Sequence, residues 1–172
     1  MQDSSRPRGL TAGPANLAIR ITMKFIADCM LGKLAKWLRL IGCDTAYVHE
    51  ADDNELVKRA LREDRVLLTR DGELAKRRML RGRSLLIESE ETGRQLRQVI
   101  GRFGIRIGPD GLFTRCIVCN EPIEDVPKPS VRELVPPYVY KTQERFGRCP
   151  SCGKIYWRGT HVDHVLEALE KE

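Results

Sequence analysis

A chain of 172 residues, 41% apolar and 31% charged, has room for one ordinary domain and a small appendage, and too much apolar material for global disorder. Its formal net charge of +6 suits a partner that carries phosphates, since neutralising them releases counterions, though a basic protein without such a partner has the same balance. No apolar run approaches the ~20 residues that cross a bilayer, and Gly13, Pro14, Asn16 and Arg20 interrupt any signal-peptide core, so a cytoplasmic location is expected.

Residues 1–22 are rich in Ser, Pro, Gly and small side chains. They read as an N-terminal extension without fixed structure, ahead of a domain that opens at Met23. Residues 25–27 then form a short apolar strand that ends on Asp28. Residues 30–41 have helical periodicity, with Leu31, Leu34, Leu38 and Ile41 on one face and Lys33, Lys36 and Arg39 on the other. Gly42 is placed to stop that helix. A second strand follows at 44–48, a helix at 53–63, a buried third strand at 66–69 that runs into Asp71, and a short basic helix at 73–80. A fourth strand at 84–87 and a helix at 93–103 close the unit. Strand followed by helix, repeated along the chain, predicts an α/β domain over 23–105 with a mostly parallel sheet. Apolar runs of that length fit strands covered on both faces.

Beyond Gly104 the texture changes to prolines and cysteines, which marks a second unit over 110–160 and then a short helix or tail over 161–172. Cys116-Ile117-Val118-Cys119-Asn120 and Cys149-Pro150-Ser151-Cys152-Gly153 are two knuckles. Asn or Gly after the second Cys suits the positive φ of such turns. In a reducing compartment, Cys116, Cys119, Cys149 and Cys152 together make the four-sulfur set of a structural Zn²⁺, one per chain, although two redox dithiols have the same spacing. The spacer of roughly thirty residues calls for a β-hairpin with a long Pro-rich excursion. Cys29 and Cys43 read as buried free thiols, and His161 and His164 as surface residues of the terminal helix.

In a parallel α/β sheet, functional groups collect at the carboxyl ends of the strands. Asp28 directly follows the first strand, Asp53 (or Asp52) begins the helix after the second, and Asp71 follows the third. Converging carboxylates there suit Mg²⁺ or Mn²⁺, which activate water and neutralise charge on a phosphodiester. Helix capping explains the same residues: Asp52-x-x-Glu55 has capping-box spacing, and Asp71 is a good N-cap. Lys76, Arg77 and Arg78, with Arg81 and Arg83, form a basic run that suits phosphate or simply a solvated face.

Certain stretches resemble a known family: Met30-Leu31-Gly32-Lys33-Leu34-Ala35-Lys36-Trp37-Leu38-Arg39, Ala51-Asp52-Asp53 with Glu55-Leu56, and Leu67-Leu68-Thr69-Arg70-Asp71. The similarity continues through Arg115-Cys116, Val135-Pro136-Pro137-Tyr138-Val139-Tyr140 and Arg148-Cys149-Pro150 to Trp157-Arg158-Gly159. They are similar to the PIN-like RNase domain named from the C-terminal part of the nematode mut-seven exonuclease. The resemblance implies a PIN-like α/β sheet followed by a four-cysteine zinc ribbon, and Mg²⁺- or Mn²⁺-dependent endoribonuclease activity on RNA. On this basis Asp28, Asp53 and Asp71 match the acidic catalytic positions, and Thr69 a polar residue near the third. Cys29 departs from the family, where an acidic residue often follows the first Asp, and Glu88 or Glu90 is the candidate for a fourth carboxylate. Lys33, Lys36, Lys76, Arg77 and Arg78 are the expected RNA contacts. The alternative is a non-catalytic RNA- or ribosome-binding module with a vestigial nuclease site, in which Tyr156 and Trp157 stack on bases.

Overall fold

The computed structural model describes residues 23–108 and 111–159, together with Val165 and Glu167. The expected extension 1–22, His161 and His164 lie outside these residues. The first unit runs β1 (Lys24–Ala27), α1 (Gly32–Leu40), β2 (Asp44–Tyr47), α2 (Asp53–Arg62), β3 (Val66–Thr69), α3 (Gly72–Ala75), β4 (Ser84–Leu86) and α4 (Thr92–Phe103). Its strands form one parallel sheet in the order β2-β1-β3-β4.

Side chains alternate across a strand, so each central strand feeds two cores. Phe25, Ala27 and Leu68 point to the face covered by α1 and α4, where they meet Leu34, Leu38, Leu96 and Val99. Ile26 and Leu67 point to the other face and pack on Leu56, Val57 and Ala60 of α2, Leu74 of α3, and Leu80. This double cover is why the strands read as unbroken apolar runs. Each fully buried Leu contributes about 1.5–3 kcal/mol, so Leu38→Ala, at the contact of α1 with the sheet, is expected to cost about 2–5 kcal/mol.

The expected basic helix over 73–80 is broken. α3 stops at Ala75, Arg77 is extended, and a 3-10 turn covers Arg78–Leu80. The guanidinium of Arg77 reaches back to Asn54 Oδ1 at 2.7 Å and Asp53 Oδ2 at 3.2 Å, a path that a continued helix would not offer.

The second unit is a three-stranded antiparallel sheet, β5 (Glu124–Val126), β6 (Phe146–Arg148) and β7 (Ile155–Tyr156), in the order β5-β6-β7. The excursion between β5 and β6 carries a 3-10 turn, Lys128–Val131, and the short helix α5 (Pro137–Thr142). Val131, Val135 and Phe146 form its small core, with Trp157 packed against them.

The two units are joined by a buried arginine. Helical spacing puts Arg39 on the solvent face of α1, yet it is only 6% exposed. Its Nε donates to Thr45 O at 2.8 Å, and Nη1 donates to the carbonyls of Ile117 and Val118, each at 2.9 Å. Those carbonyls belong to the first cysteine knuckle. A buried guanidinium is tolerable because backbone acceptors replace its water.

Candidate metal centre and carboxyl-end crevice

Each knuckle is held by its own backbone. Asn120 N–H donates to Cys116 O at 2.8 Å and Gly153 N–H to Cys149 O at 2.9 Å. Asn120 (φ 69°) and Gly153 (φ 71°) are both left-handed, as the turn chemistry requires. The second cysteine's N–H in each motif turns toward the first sulfur, Cys119 N to Cys116 Sγ at 3.3 Å and Cys152 N to Cys149 Sγ at 3.5 Å. The four sulfurs lie within 4.8 Å of one another. No pair is a disulfide.

Their chemistry calls for a cation. Burial opposes ionisation of Cys116, but the Tyr156 hydroxyl, 3.0 Å from its sulfur, and the nearby N–H groups bring its pKa down to about 6. Hydrogen bonding to Cys152 pushes Cys119 up to about 12, with burial adding to the shift. Four thiolates cannot ionise together without a balancing charge, which a tetrahedral Zn²⁺ provides. Soft sulfur donors at this spacing fit that ion. Tyr156, expected to stack on bases in the binding alternative, is instead buried against the cluster.

The other cysteines divide. Cys43 is buried and its pKa is pushed up to about 12 by that burial, so it is an inert thiol. Cys29 is exposed, against expectation, because the 3-10 turn Cys29–Leu31 directs Leu31 rather than Cys29 into the core.

The strand order places a topological switch between β1 and β3. The chain leaves β1 through α1 on one face, and leaves β3 through α3 on the other. The crevice outside the carboxyl ends of such a strand pair is where α/β sheets bind ligands. Asp28 and the run Thr69-Arg70-Asp71 stand on its two sides. Asp28 is 5% exposed: its Oδ1 accepts from Met30 N at 2.9 Å and its Oδ2 from Arg70 N at 3.1 Å. Asp71 Oδ1 caps α3, accepting from Glu73 N at 2.7 Å and Leu74 N at 3.1 Å, and those bonds lower its pKa. Buried Thr69 accepts from Asp71 N at 2.9 Å through Oγ1. Asp52 caps α2 through Glu55 N, leaving Asp53 to Arg77.

The three acidic positions are therefore occupied by caps and an ion pair. Among the described residues, the only group of three or more His, Cys, Asp or Glu placed to hold a metal ion is the four cysteines. Glu90 is exposed and bonds Arg70 Nη2 at 2.9 Å, and so reaches the crevice rim, whereas Glu88 is exposed beside Gln98. Arg70, which ties Asp28 to Glu90, is missed by sequence reasoning; its place between Thr69 and Asp71 is the signal that marks it.

The basic residues separate. Lys76, Arg77, Arg78 and Arg81 line an open depression of about 560 Å³. Lys33 and Lys36 are exposed on α1, which covers the opposite face of the sheet.

With this geometry in place, the family is decided by one match: residues 23–169 fit the model of the Mut7-C RNAse domain. The chain belongs to that family. The Mut7-C match takes in both units, so the sheet and the cysteine cluster are parts of one family module. No curated protein and no solved structure matches the chain. None of the described helices is long and apolar enough to cross a membrane.

Proposed function

We propose that the protein is an RNA-cleaving enzyme, a metal-dependent endoribonuclease working at the crevice between β1 and β3. The reading rests on a buried carboxylate, Asp28, at the switch point of a sheet in a chain that matches an RNase family. Capping does not exhaust the oxygens. A carboxylate offers about four lone-pair sites; Asp28 uses one on each oxygen, and Asp71 Oδ2 accepts none among the described residues.

In this reading Asp28 and Asp71 present hard oxygen ligands, and Asp53 joins them when RNA phosphates draw Arg77 away. A bound Mg²⁺ or Mn²⁺ would supply an activated water and charge neutralisation at the phosphodiester. Met30 N–H and Arg70 N–H hold Asp28 in one orientation, and Thr69 Oγ1 fixes the backbone of Asp71. Lys76, Arg77 and Arg78 hold the RNA backbone, with Lys33 and Lys36 as secondary contacts. Zn²⁺ on the four cysteines is structural. Free Cys43 and the thiol cluster suit a cytoplasmic, reducing setting.

The test is RNA cleavage by the purified protein with Mg²⁺, Mn²⁺ or EDTA, alongside Asp28→Asn. Asn keeps one of the two bonds that Asp28 accepts and turns its Nδ2 toward the other N–H, so the variant is compared at equal folded fraction, where a purely structural Asp28 would leave cleavage unchanged. Loss of cleavage by orders of magnitude with RNA affinity retained supports the assignment; normal cleavage by the variant removes it. The engagement of Asp28, Asp53 and Asp71 with protein partners favours a second reading, an RNA- or ribosome-binding module with a vestigial site. Under it, no cation restores cleavage to the unmodified protein.

A further inference from the structure

A second cleft, of about 520 Å³, lies between residues 112–114 and the sheet of the second unit, away from the crevice of the aspartates. It falls within the about 300–1,000 Å³ typical of small-molecule sites. Buried Tyr156 and Phe146 lie at its base, Phe113 and Trp157 are half-exposed at its sides, and Arg145 and Arg158 stand exposed at its rim.

Three features set this cleft apart from an ordinary surface groove. Phe113 lines it with φ 58°, a left-handed conformation that is unusual for a bulky side chain and is held by its N–H bond to Leu40 O at 3.0 Å. The Trp157 indole N–H has no partner among the described residues, and no polar side-chain atom there is both buried and unpartnered, so that N–H remains open to solvent. At the rim, Arg145 is held only by an exposed carboxylate of the cleft wall, Asp125, at 3.4 Å, and Arg158 is unpaired among the described residues.

The geometry points to a stacking site for single-stranded RNA: an unpaired nucleobase lies against Trp157 within the cleft, and Arg145 and Arg158 hold the phosphates on either side of it. Aromatic faces beside guanidinium groups are the chemistry by which proteins hold single strands with little sequence preference. This site rests on the reading of RNA as substrate, and would hold a strand on the ribbon while the crevice acts elsewhere along it.

The experiment uses the full chain carrying Trp37→Phe, which leaves Trp157 as the sole tryptophan. Titration with a short single-stranded oligonucleotide, with no Mg²⁺ or Mn²⁺ added and the zinc retained, is expected to quench its fluorescence, more weakly as salt rises. By anisotropy of a labelled oligonucleotide, which needs no tryptophan, Arg145→Ala with Arg158→Ala is expected to weaken binding about tenfold or more, and Trp157→Ala likewise, while Trp157→Phe keeps most of the affinity. Each variant is compared at unchanged zinc content. Absence of quenching, unchanged affinity in the arginine pair, or equal binding of duplex RNA would overturn the proposal. Adding Asp28→Asn separates the two readings, because it is expected to abolish cleavage and leave the quenching intact. Quenching without cleavage in the unmodified protein removes only the enzyme, and cleavage without quenching removes only this site.

Discussion

Asn120 bridges the first knuckle to the edge of the parallel sheet: its Nδ2 donates to Asp44 Oδ1 at 2.7 Å, while its own Oδ1 accepts from Thr45 N at 2.9 Å. One side chain thus combines the left-handed turn the cysteines need with the anchor that holds their unit to β2. Asn120→Gly keeps the turn and loses the anchor; Asn120→Ala loses both. We expect Asn120→Ala to cost about 2–4 kcal/mol and Asn120→Gly to recover about 1 kcal/mol of that, measured by urea unfolding.

Asp44 gives the interface an acid limit. Burial disfavours its charge, but hydrogen bonds from Arg65 at 2.6 Å and Asn120, with Arg115 nearby, hold its pKa below the ordinary value. A lowered folded-state pKa contributes stability above the unfolded value of about 3.9, and that contribution is lost as pH falls through the folded value. Glu63, bonded by Arg65 and Arg59, has its pKa lowered to about 2, so its share is lost as pH falls from the ordinary glutamate value of about 4.3 toward 2. The melting temperature is therefore expected to fall below about pH 4. Asp44→Asn should begin from a lower plateau and show a shallower fall, and an identical profile would show that Asp44 contributes nothing.

Metal removal should be felt in the second unit first. The protein is expected to carry one zinc by elemental analysis, released by Cys149→Ser with Cys152→Ser or by a strong chelator. Hydrogen exchange should then rise over β5–β7 and in the knuckle that receives Arg39, before the inner strands β1 and β3 are exposed. Metal-replete protein with no zinc and two disulfides would end this account.

Gly42 and Gly101 form a matched pair. Gly42 has φ +91°, and a Cβ there would lie 2.4 Å from the backbone oxygen of Gly111, whereas Gly101 sits inside α4 with nothing within 4 Å of its Cβ position. Gly42→Ala is expected to cost at least about 2 kcal/mol, and Gly101→Ala to gain about 0.5–1 kcal/mol, both by denaturant midpoint.

If RNA is held as proposed, Arg77→Ala removes a phosphate contact; it also releases Asp53 from its 3.2 Å ion pair. RNA affinity should drop across sequences, with a salt dependence shallower by about one phosphate's worth, read from binding between low and moderate salt. An unchanged slope would place RNA elsewhere.

Local features are legible in the sequence and distant pairings are not. The strands and helices of the first unit follow from apolar periodicity, and the left-handed Asn120 and Gly153 follow from their places after the second cysteines. Arg39 reads as solvent-facing because helical spacing says nothing about carbonyls 78 residues away. Asp44 escapes notice for the same reason: its partners Arg65, Arg115 and Asn120 are gathered only by the fold. Tyr156 beside Trp157 looks like a pair of stacking rings, but strand alternation sends one to the sulfurs and leaves the other half-exposed. The basic run suggests a helix by composition, while the reach of Arg77 toward α2 breaks it.

Arg39 also bears on the order in which the molecule can be built. Until Ile117 and Val118 leave the ribosome, the first unit holds a cation at its edge with two of its three acceptor carbonyls missing, and the core beneath α1 also lacks Val165, which is buried in it. Most chains complete their N-terminal domain first and add the rest to a finished body. Here the segment made first gains its final packing from one made later, so a nascent chain or a fragment ending near residue 108 would hold all four strands of the sheet over an unfinished core, with the Arg39 guanidinium short of acceptors.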